Sequence, residues 1–340
     1  MKQFLQKLSE RTALTEEEMN SAARSLLSAD ITDSEIAAFL VALKSKGETA
    51  SDIVSLVQVL RENAVPIATE SQNIMDNCGT GGDGSQSFNI STTSAFVIAG
   101  AGVKIAKHGN RSVSSKTGSS DVLEKLGVSL NTDPGLVNEM LMENGIAFLF
   151  APYVHPKIAK IMKVRKDLKI STIFNLIGPL TNPVNLSSQL LGIYRNDMLE
   201  MFADVLHRLG RKRAVVINGA GSMDEASLQG ENNIVLMENG VITPITLHPE
   251  EVNLPLYPNE AIRGGDSHEN AEILLNVLKG RPGAHRDTVL LNAGLGIFAN
   301  GKASTIKEGV ELAKESIDSG EALNKLQKLI RYNQKKSEVV

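Results

Sequence analysis

Apolar residues recur at three- and four-residue intervals through the first sixty positions, as in Ile53, Leu56, Val57 and Leu60, which is the spacing of one buried helix face. Each of three such runs is preceded by a hydroxyl with an acid three positions on: Thr15 with Glu18, Thr32 with Glu35, and Thr49 with Asp52. That pairing lets side chain and backbone cap each other, so it predicts three helix starts. The pattern stops before Pro66, and a boundary is expected near residue 70. Beyond it, short apolar runs (NIMDNCG, GVKIAKHG, IAFLFAP, SQLLGIY, RAVVING) alternate with helical ones such as DVLEKLG, MLEMFADVLHRLG and NAEILLNVLKG. Such alternation predicts an α/β unit, a sheet covered by helices. Residues 231–248 read as a hairpin turning at Asn239-Gly240. The stretch 155–183 breaks the alternation, with a basic helix over 156–168 and then an apolar segment interrupted by Gly178, Pro179 and Pro183. The expected division is a helical domain of residues 1–70, onto which 160–185 packs back, and an α/β domain of residues 71–159 and 186–340.

Composition narrows the class of function. A chain of 340 residues is long enough for two domains. With 35 basic and 39 acidic residues its net charge is −4, which argues against a protein that coats nucleic acid or lies on a membrane surface. Basic clusters must therefore act locally. The one cysteine, Cys78, excludes an internal disulfide, and the N-terminus has neither a signal-peptide core nor a membrane-length apolar run. A cytoplasmic location is expected.

Two loops carry anion-binding chemistry. In CGTGGDGSQSFNIS (78–91), glycines at 79, 81, 82 and 84 allow positive φ and close approach, so that successive N–H groups converge on an anion. A helix is expected to open near Asn89, adding the partial positive charge of its N-terminus. Ser87, Asn89, Ser91 and Thr92 sit at that opening, where they either donate to phosphate or only cap the backbone. The loop is neither a Walker A motif nor the dinucleotide fingerprint. In KHGNRSVSSKTGSS (107–120), Lys107 and Arg111 supply charge while His108, Asn110, Ser112, Ser114 and Ser115 supply directed donors. It follows an apolar strand, where open α/β sheets bind ligands.

Asp224-Glu225 follows the strand RAVVING, placing two hard oxygen ligands at a strand end. Magnesium suits such a pair, since it keeps several waters and bridges protein carboxylates to substrate phosphates. An exposed acidic turn is the alternative. Asp83 has a similar choice between metal-bound water or a sugar hydroxyl and its own turn. On the basic helix, Lys157, Lys160, Lys163 and Lys166 read mostly as a solvated face, while Arg165 is the residue suited to a bidentate grip on a carboxylate. His108 and His155 neighbour these segments. Neither a metal-spaced His/Cys cluster nor a nucleophile–base constellation is evident, so catalysis is expected to rest on positioning and electrostatics rather than on a general base.

The segments Gly79-Thr80-Gly81-Gly82-Asp83, Asn89-Ile90-Ser91-Thr92, Lys107-His108-Gly109-Asn110-Arg111, FNLIGPLTNP (174–183) and Asp224-Glu225, in this order, closely resemble the signature of the anthranilate phosphoribosyltransferase family. The resemblance covers nearly the whole chain. It implies the nucleoside-phosphorylase-like phosphoribosyltransferase fold, with a small helical N-terminal domain and a larger α/β domain around a mostly parallel sheet. It also implies a homodimer through the helical domain. The activity implied is phosphoribosyl transfer from 5-phosphoribosyl-1-pyrophosphate to the amine of anthranilate, in tryptophan biosynthesis, with Mg²⁺. By position, Gly79, Gly82, Asp83, Ser87, Asn89, Ile90, Ser91 and Thr92 would form one wall of the phosphoribosyl pyrophosphate site. Lys107, His108, Gly109, Asn110, Arg111, Ser112, Val113, Ser114, Ser115 and Ser119 would form the other. Ser91, Asp224 and Glu225 would hold the metal, and Gly79, His108, Asn110, His155 and Arg165 would meet anthranilate. The approach NGAGSMDE departs from the family's usual His-Gly and Gly-Leu, which opens the role of Asn218 to Met223. A pyrimidine nucleoside phosphorylase of the same fold and a non-catalytic relative that binds nucleic acid are the competing readings.

Overall fold

A computed structural model describes residues 1–111 and 117–337, with side chains as far as Tyr332. Four helices open the chain: α1 (Lys2–Ser9), α2 (Glu16–Leu26), α3 (Asp33–Lys46) and α4 (Ala50–Glu62). The three expected caps are present, because Thr15, Thr32 and Thr49 each accept from the backbone of Glu18, Glu35 and Asp52, whose carboxylates return the bond. Then follow β1 (Ile74–Gly79), α5 (Ile90–Gly100), β2 (Lys104–Gly109), α6 (Ser119–Lys125), α7 (Pro134–Glu139), β3 (Ile146–Phe150), α8 (Ala151–Val154) and α9 (Ala159–Leu168). The second half contributes β4 (Ser188–Gly192), α10 (Leu199–Arg208), β5 (Arg213–Asn218), β6 (Asn232–Glu238) and β7 (Val241–Leu247). It closes with α11 (Ser267–Leu278), α12 (Ala284–Asn300), α13 (Ile306–Asp318) and α14 (Glu321–Ser337).

The seven strands form one sheet in the order β3-β2-β1-β4-β5-β6-β7. Pairing is parallel from β3 to β5 and antiparallel for the β6–β7 hairpin, which turns at Asn239 and Gly240, both at positive φ. Period-two alternation splits the interior. On β5, Val215 and Ile217 enter a core with α5 and α12, whereas Ala214 and Val216 enter a second core with α10 and the N-terminal helices.

That second core also takes Ile161 and Val164 of α9 and Ile173, Phe174, Ile177 and Leu180 of the segment after it. The lysines here lie mostly on the solvated face expected of them, with Lys157, Lys163 and Lys166 exposed, and three of them also reach the N-terminal helices. Lys157 donates to Asn63 Oδ1 at 2.7 Å, Lys160 to the Ile31 carbonyl, and Lys163 to Asp33 at 2.7 Å, so they pin α9 onto the N-terminal helices. Its first turn is a 3₁₀ turn, Pro156–Ile158, rather than α-helix.

One polar clamp joins this excursion to the sheet. Asn182, fully buried, donates to Asp76 Oδ2 at 2.9 Å and to the Ala106 carbonyl at 2.7 Å, and accepts from the Val184 N–H at 3.0 Å. Asp76 also accepts from the Asn77 and His108 backbones. Asn182→Ala strips a donor from a buried acid and a buried carbonyl, and is expected to cost about 3 kcal/mol. Urea unfolding checks this, and a midpoint within error of wild type would refute the clamp.

Candidate active site

The acid pair can sit at the sheet's carboxyl edge because the strand ends beneath it carry no side chains. Gly79 ends β1 beside Gly192 of β4, and a Cβ on either would overlap Asp224; a Cβ on Gly219 would overlap the Glu225 carbonyl. Gly79 is therefore required for space. The positive φ expected of it belongs instead to Gly81, Gly82 and Gly84, at 69°, 84° and 74°. The Gly81 N–H donates to Asp224 Oδ2 at 2.6 Å, and the Ser91 N–H donates to Glu225 Oε1 at 3.2 Å. Both acids thus hold amides of the first loop and of the α5 N-terminus. Burial and the neighbouring Glu225 raise the Asp224 carboxyl well above the usual range, and burial pushes Glu225 up to about 7. Asn218 to Met223 form a small closed loop: Gly219 and Met223 exchange backbone bonds, and Asn218 Nδ2 donates to the Ile193 carbonyl at 2.8 Å.

The second loop begins at the end of β2. Lys107, 2% exposed, donates to the Asn77 carbonyl at 2.7 Å, and Asn77 Nδ2 donates to the Ser91 carbonyl at 2.9 Å, which ties β2 to α5 through β1. Ser119 Oγ accepts from Asn110 N at 3.2 Å and donates to its carbonyl at 3.1 Å, closing the loop's base. The Arg111 guanidinium turns toward α6, pairing with Asp121 and Glu124 at 2.7 and 3.0 Å. Ser112, Val113, Ser114 and Ser115 lie outside the described residues.

These pieces converge on one cavity of about 340 Å³. Gly79, Gly82, Asn89, Ser91, Thr92, Lys107, His108, Gly109, Asn110, Arg111 and Ser119 line it, as do Asp224, Glu225, His155 and Arg165. Among the described residues three expected ones do not. Ile90 points into the apolar core, Ser87 bridges to Arg263, and Asp83 accepts from Ser85 N at 3.1 Å in its own turn while standing beside the acid pair, where its charge helps to raise both carboxyls. The opposite wall holds Phe174, Ile177 and Pro179 of the FNLIGPLTNP segment together with Leu60, Ile158 and Met162, which the motifs do not single out. Helical periodicity marks Leu60 only as core, and nothing local marks Ile158 or Met162.

Within that wall Arg165 lies 5.6 Å above the Phe174 ring and donates to Asn175 Oδ1 at 3.2 Å, leaving Nε buried without a partner. Among the described residues no carboxylate pairs with it. His108 and His155 meet edge to face at 5.5 Å, and His155 Nε2 bonds the Thr181 carbonyl. Burial, with His155 alongside, lowers His108 to about 3, so its imidazole is neutral, and Nε2 has no partner. Cys78, partly buried near the end of β1 and lining the same cavity, has its thiol pushed well up by desolvation and by Asp76. Among the described residues no group of three or more acids, histidines or cysteines is arranged to hold a metal. A cation here would meet the Asp224 and Glu225 carboxylates and draw its other oxygens from a neighbouring hydroxyl, ligand and water.

Residues 2–64 match the glycosyl transferase family helical bundle domain and residues 71–323 match the glycosyl transferase family a/b domain. An anthranilate phosphoribosyltransferase of Exiguobacterium sibiricum is 62% identical over 337 residues, 99% of each chain. The chain belongs to the anthranilate phosphoribosyltransferase family. The Thermus thermophilus anthranilate phosphoribosyltransferase is 40% identical with a TM-score of 0.92, covering 97% of this chain and 99% of its own. The Saccharomyces cerevisiae anthranilate phosphoribosyltransferase, in complex with PRPP and Mg, is 26% identical with a TM-score of 0.89, covering 98% and 97%. This agreement supports the transferase over the phosphorylase and nucleic-acid readings.

Neutral, buried His108 has a pH consequence. Its folded pKa lies below the unfolded value, so the folded state binds fewer protons, and stability is full above about 6.5 and lost as pH falls toward 3. Wild-type stability is expected to fall by up to about 1.4 kcal/mol per pH unit from this residue. His108→Asn should flatten that acid limb, measured as urea midpoints at pH 7.5 and 5; an unchanged slope would place the titration elsewhere.

Proposed function

We propose that this chain transfers the phosphoribosyl group of 5-phosphoribosyl-1-pyrophosphate to the amine of anthranilate, releasing pyrophosphate, as a step of tryptophan biosynthesis. The observation that carries the reading is the division of one cavity into two chemistries. On one side lie amides, hydroxyls and Lys107 around the acid pair; on the other, an apolar wall surrounds an Arg165 that no carboxylate among the described residues satisfies. A flat aromatic acid fits the second side, its ring against Phe174 and Ile177 and its carboxylate on the Arg165 fork. A sugar diphosphate fits the first, against Gly79, Gly82, Asn89, Ser91, Thr92, Lys107 and the Gly109–Arg111 turn.

Two buried acids whose carboxyls are raised by desolvation favour a cation beside them, so Asp224 and Glu225, with Ser91, fit magnesium. Bound there, Mg²⁺ would supply positive charge against the departing diphosphate. The chain's own residues do the rest. Lys107 and the N-terminus of α5 add fixed positive potential, and the apolar wall excludes water that would compete with the amine. Anthranilate's amine is neutral at physiological pH and nucleophilic, so holding it in line replaces strong base activation. The partnerless Nε2 of neutral His108 is an acceptor within the same cavity.

The same reading divides the chain into a helical domain of residues 1–70 with 160–185 and an α/β domain of 71–159 and 186–340. It makes the helical domain the contact of a homodimer; Val41 and Ile170, 39% and 46% exposed, are apolar surface there. A reducing cytoplasm suits a chain with one cysteine.

Anthranilate fluorescence should fall when protein, 5-phosphoribosyl-1-pyrophosphate and magnesium are mixed, and omission of any component should stop it; a persistent signal in the complete mixture sinks the reading. Arg165→Ala is expected to raise the anthranilate KM about ten-fold or more, as loss of a charged hydrogen bond implies. An unchanged anthranilate KM would remove Arg165 from that role. Asp224→Asn with Glu225→Gln should blunt the response of turnover to magnesium, and a wild-type magnesium titration would remove the acids from metal binding.

A further inference from the structure

The two anion loops are joined at their far ends by a segment that neither motif contains. Residues 262–266 run antiparallel to the first loop: Phe88 N donates to the Ile262 carbonyl at 3.1 Å, Ser87 bridges Arg263, and Gly264 N donates to the Gln86 carbonyl at 2.9 Å. Gly264 must be glycine, because a Cβ there would lie 2.7 Å from Phe88 Cα and 2.6 Å from Asn270 Oδ1. Asn270, 2% exposed, is the centre of the junction. Its Oδ1 accepts from Gly265 N at 2.8 Å, and its Nδ2 donates to Asn89 Oδ1 at 2.9 Å. Asn89 Nδ2 in turn donates to the Thr117 carbonyl at 3.4 Å, and Thr117 Oγ1 donates to the Gly265 carbonyl at 3.0 Å.

Every amide in this relay has one possible orientation. The Gly265 N–H can only donate, so Asn270 must present its oxygen there and its nitrogen to Asn89. Asn89 must then present oxygen to Asn270, which leaves its nitrogen for Thr117, the residue where the described part of the second loop resumes. Since Asn89 and Thr117 both line the cavity, the relay sets which way the Asn89 amide faces the ligand and how the second loop stands against the first. Nothing in the relay reaches the apolar wall around Arg165.

We infer that Asn270, relayed through Asn89 and Thr117, is a positioning residue for the phosphoribosyl pyrophosphate side of the site, and that it leaves the anthranilate side alone. This inference rests on the function proposed above. Asn270→Asp keeps the Gly265 bond but sets a carboxylate oxygen against Asn89 Oδ1. The Asn89 amide must flip, and its oxygen then faces the Thr117 carbonyl. Thr117→Val removes the hydroxyl bond to the Gly265 carbonyl with almost no change of shape, and leaves the Asn89 bond to the Thr117 backbone carbonyl in place.

The experiment measures both KM values, kcat, and binding of pyrophosphate with magnesium by calorimetry, for wild type, Asn270→Asp and Thr117→Val, with urea midpoints for each. Asn270→Asp is expected to raise the phosphoribosyl pyrophosphate KM and the pyrophosphate Kd about ten-fold, the worth of a hydrogen bond to a charged group, with the anthranilate KM within about two-fold. Thr117→Val should show the same split at about three-fold. The inference is overturned if neither KM moves, or if both rise in proportion as the midpoint falls, which is what a merely structural residue would do. Should Asn270→Asp not fold, Asn270→Ala, which removes both amide bonds without burying a charge, is read by the same split. Inactive wild-type protein would instead refute the proposed function.

Discussion

Two carboxylates stand at the edge of this sheet because three glycines leave room for them. Asp224 rests on the bare ends of β1 and β4, and Glu225 follows where β5 exits over Gly219. With any larger residue at Gly79 or Gly192, the strands and the acid pair would occupy the same space. From that seat the acids reach the Gly81 and Ser91 amides, so one close approach orders the glycine loop and the start of α5 together. The burial that makes the pair unfavourable as bare anions also prepares it for a cation.

The second body of the site comes from a distance. Residues 155–183 leave the sheet, pack against α3 with lysine tethers, and return with Asn182 locked to Asp76 under the strand ends. Their apolar side chains continue the core of the N-terminal helices, and that core runs on through α10 to one face of the sheet. The wall around Arg165 is thus fixed from two sides, by apolar packing from outside and by a saturated buried amide from within. A cavity divided between polar and apolar chemistry follows from a chain that crosses from one body to the other and back.

Much of this was legible in the residues. Reciprocal caps, strand alternation, the Asn-Gly hairpin and the two anion loops each rest on local rules that neighbours in sequence satisfy. What escaped depends on partners far along the chain. The requirement for Gly79 looked like backbone freedom, because the atom it avoids belongs to Asp224. The lysines over 157–166 are largely solvated, as their pattern implies, but the oxygens that three of them meet lie in the N-terminal helices and the turns between them. Asn270 gave no signal, since one asparagine after a helix cap is ordinary until Gly265 and Asn89 are seen on either side of it.

Cys78 sits at the wall of a cavity whose neighbours are chiefly acids. Desolvation, with Asp76 alongside and against the opposing charge of Lys107, raises the thiol well above its ordinary range, and a thiol is a far weaker nucleophile than a thiolate. The lone sulfhydryl thus stands beside the reaction chamber in its protonated form, with little thiolate character to lend the site.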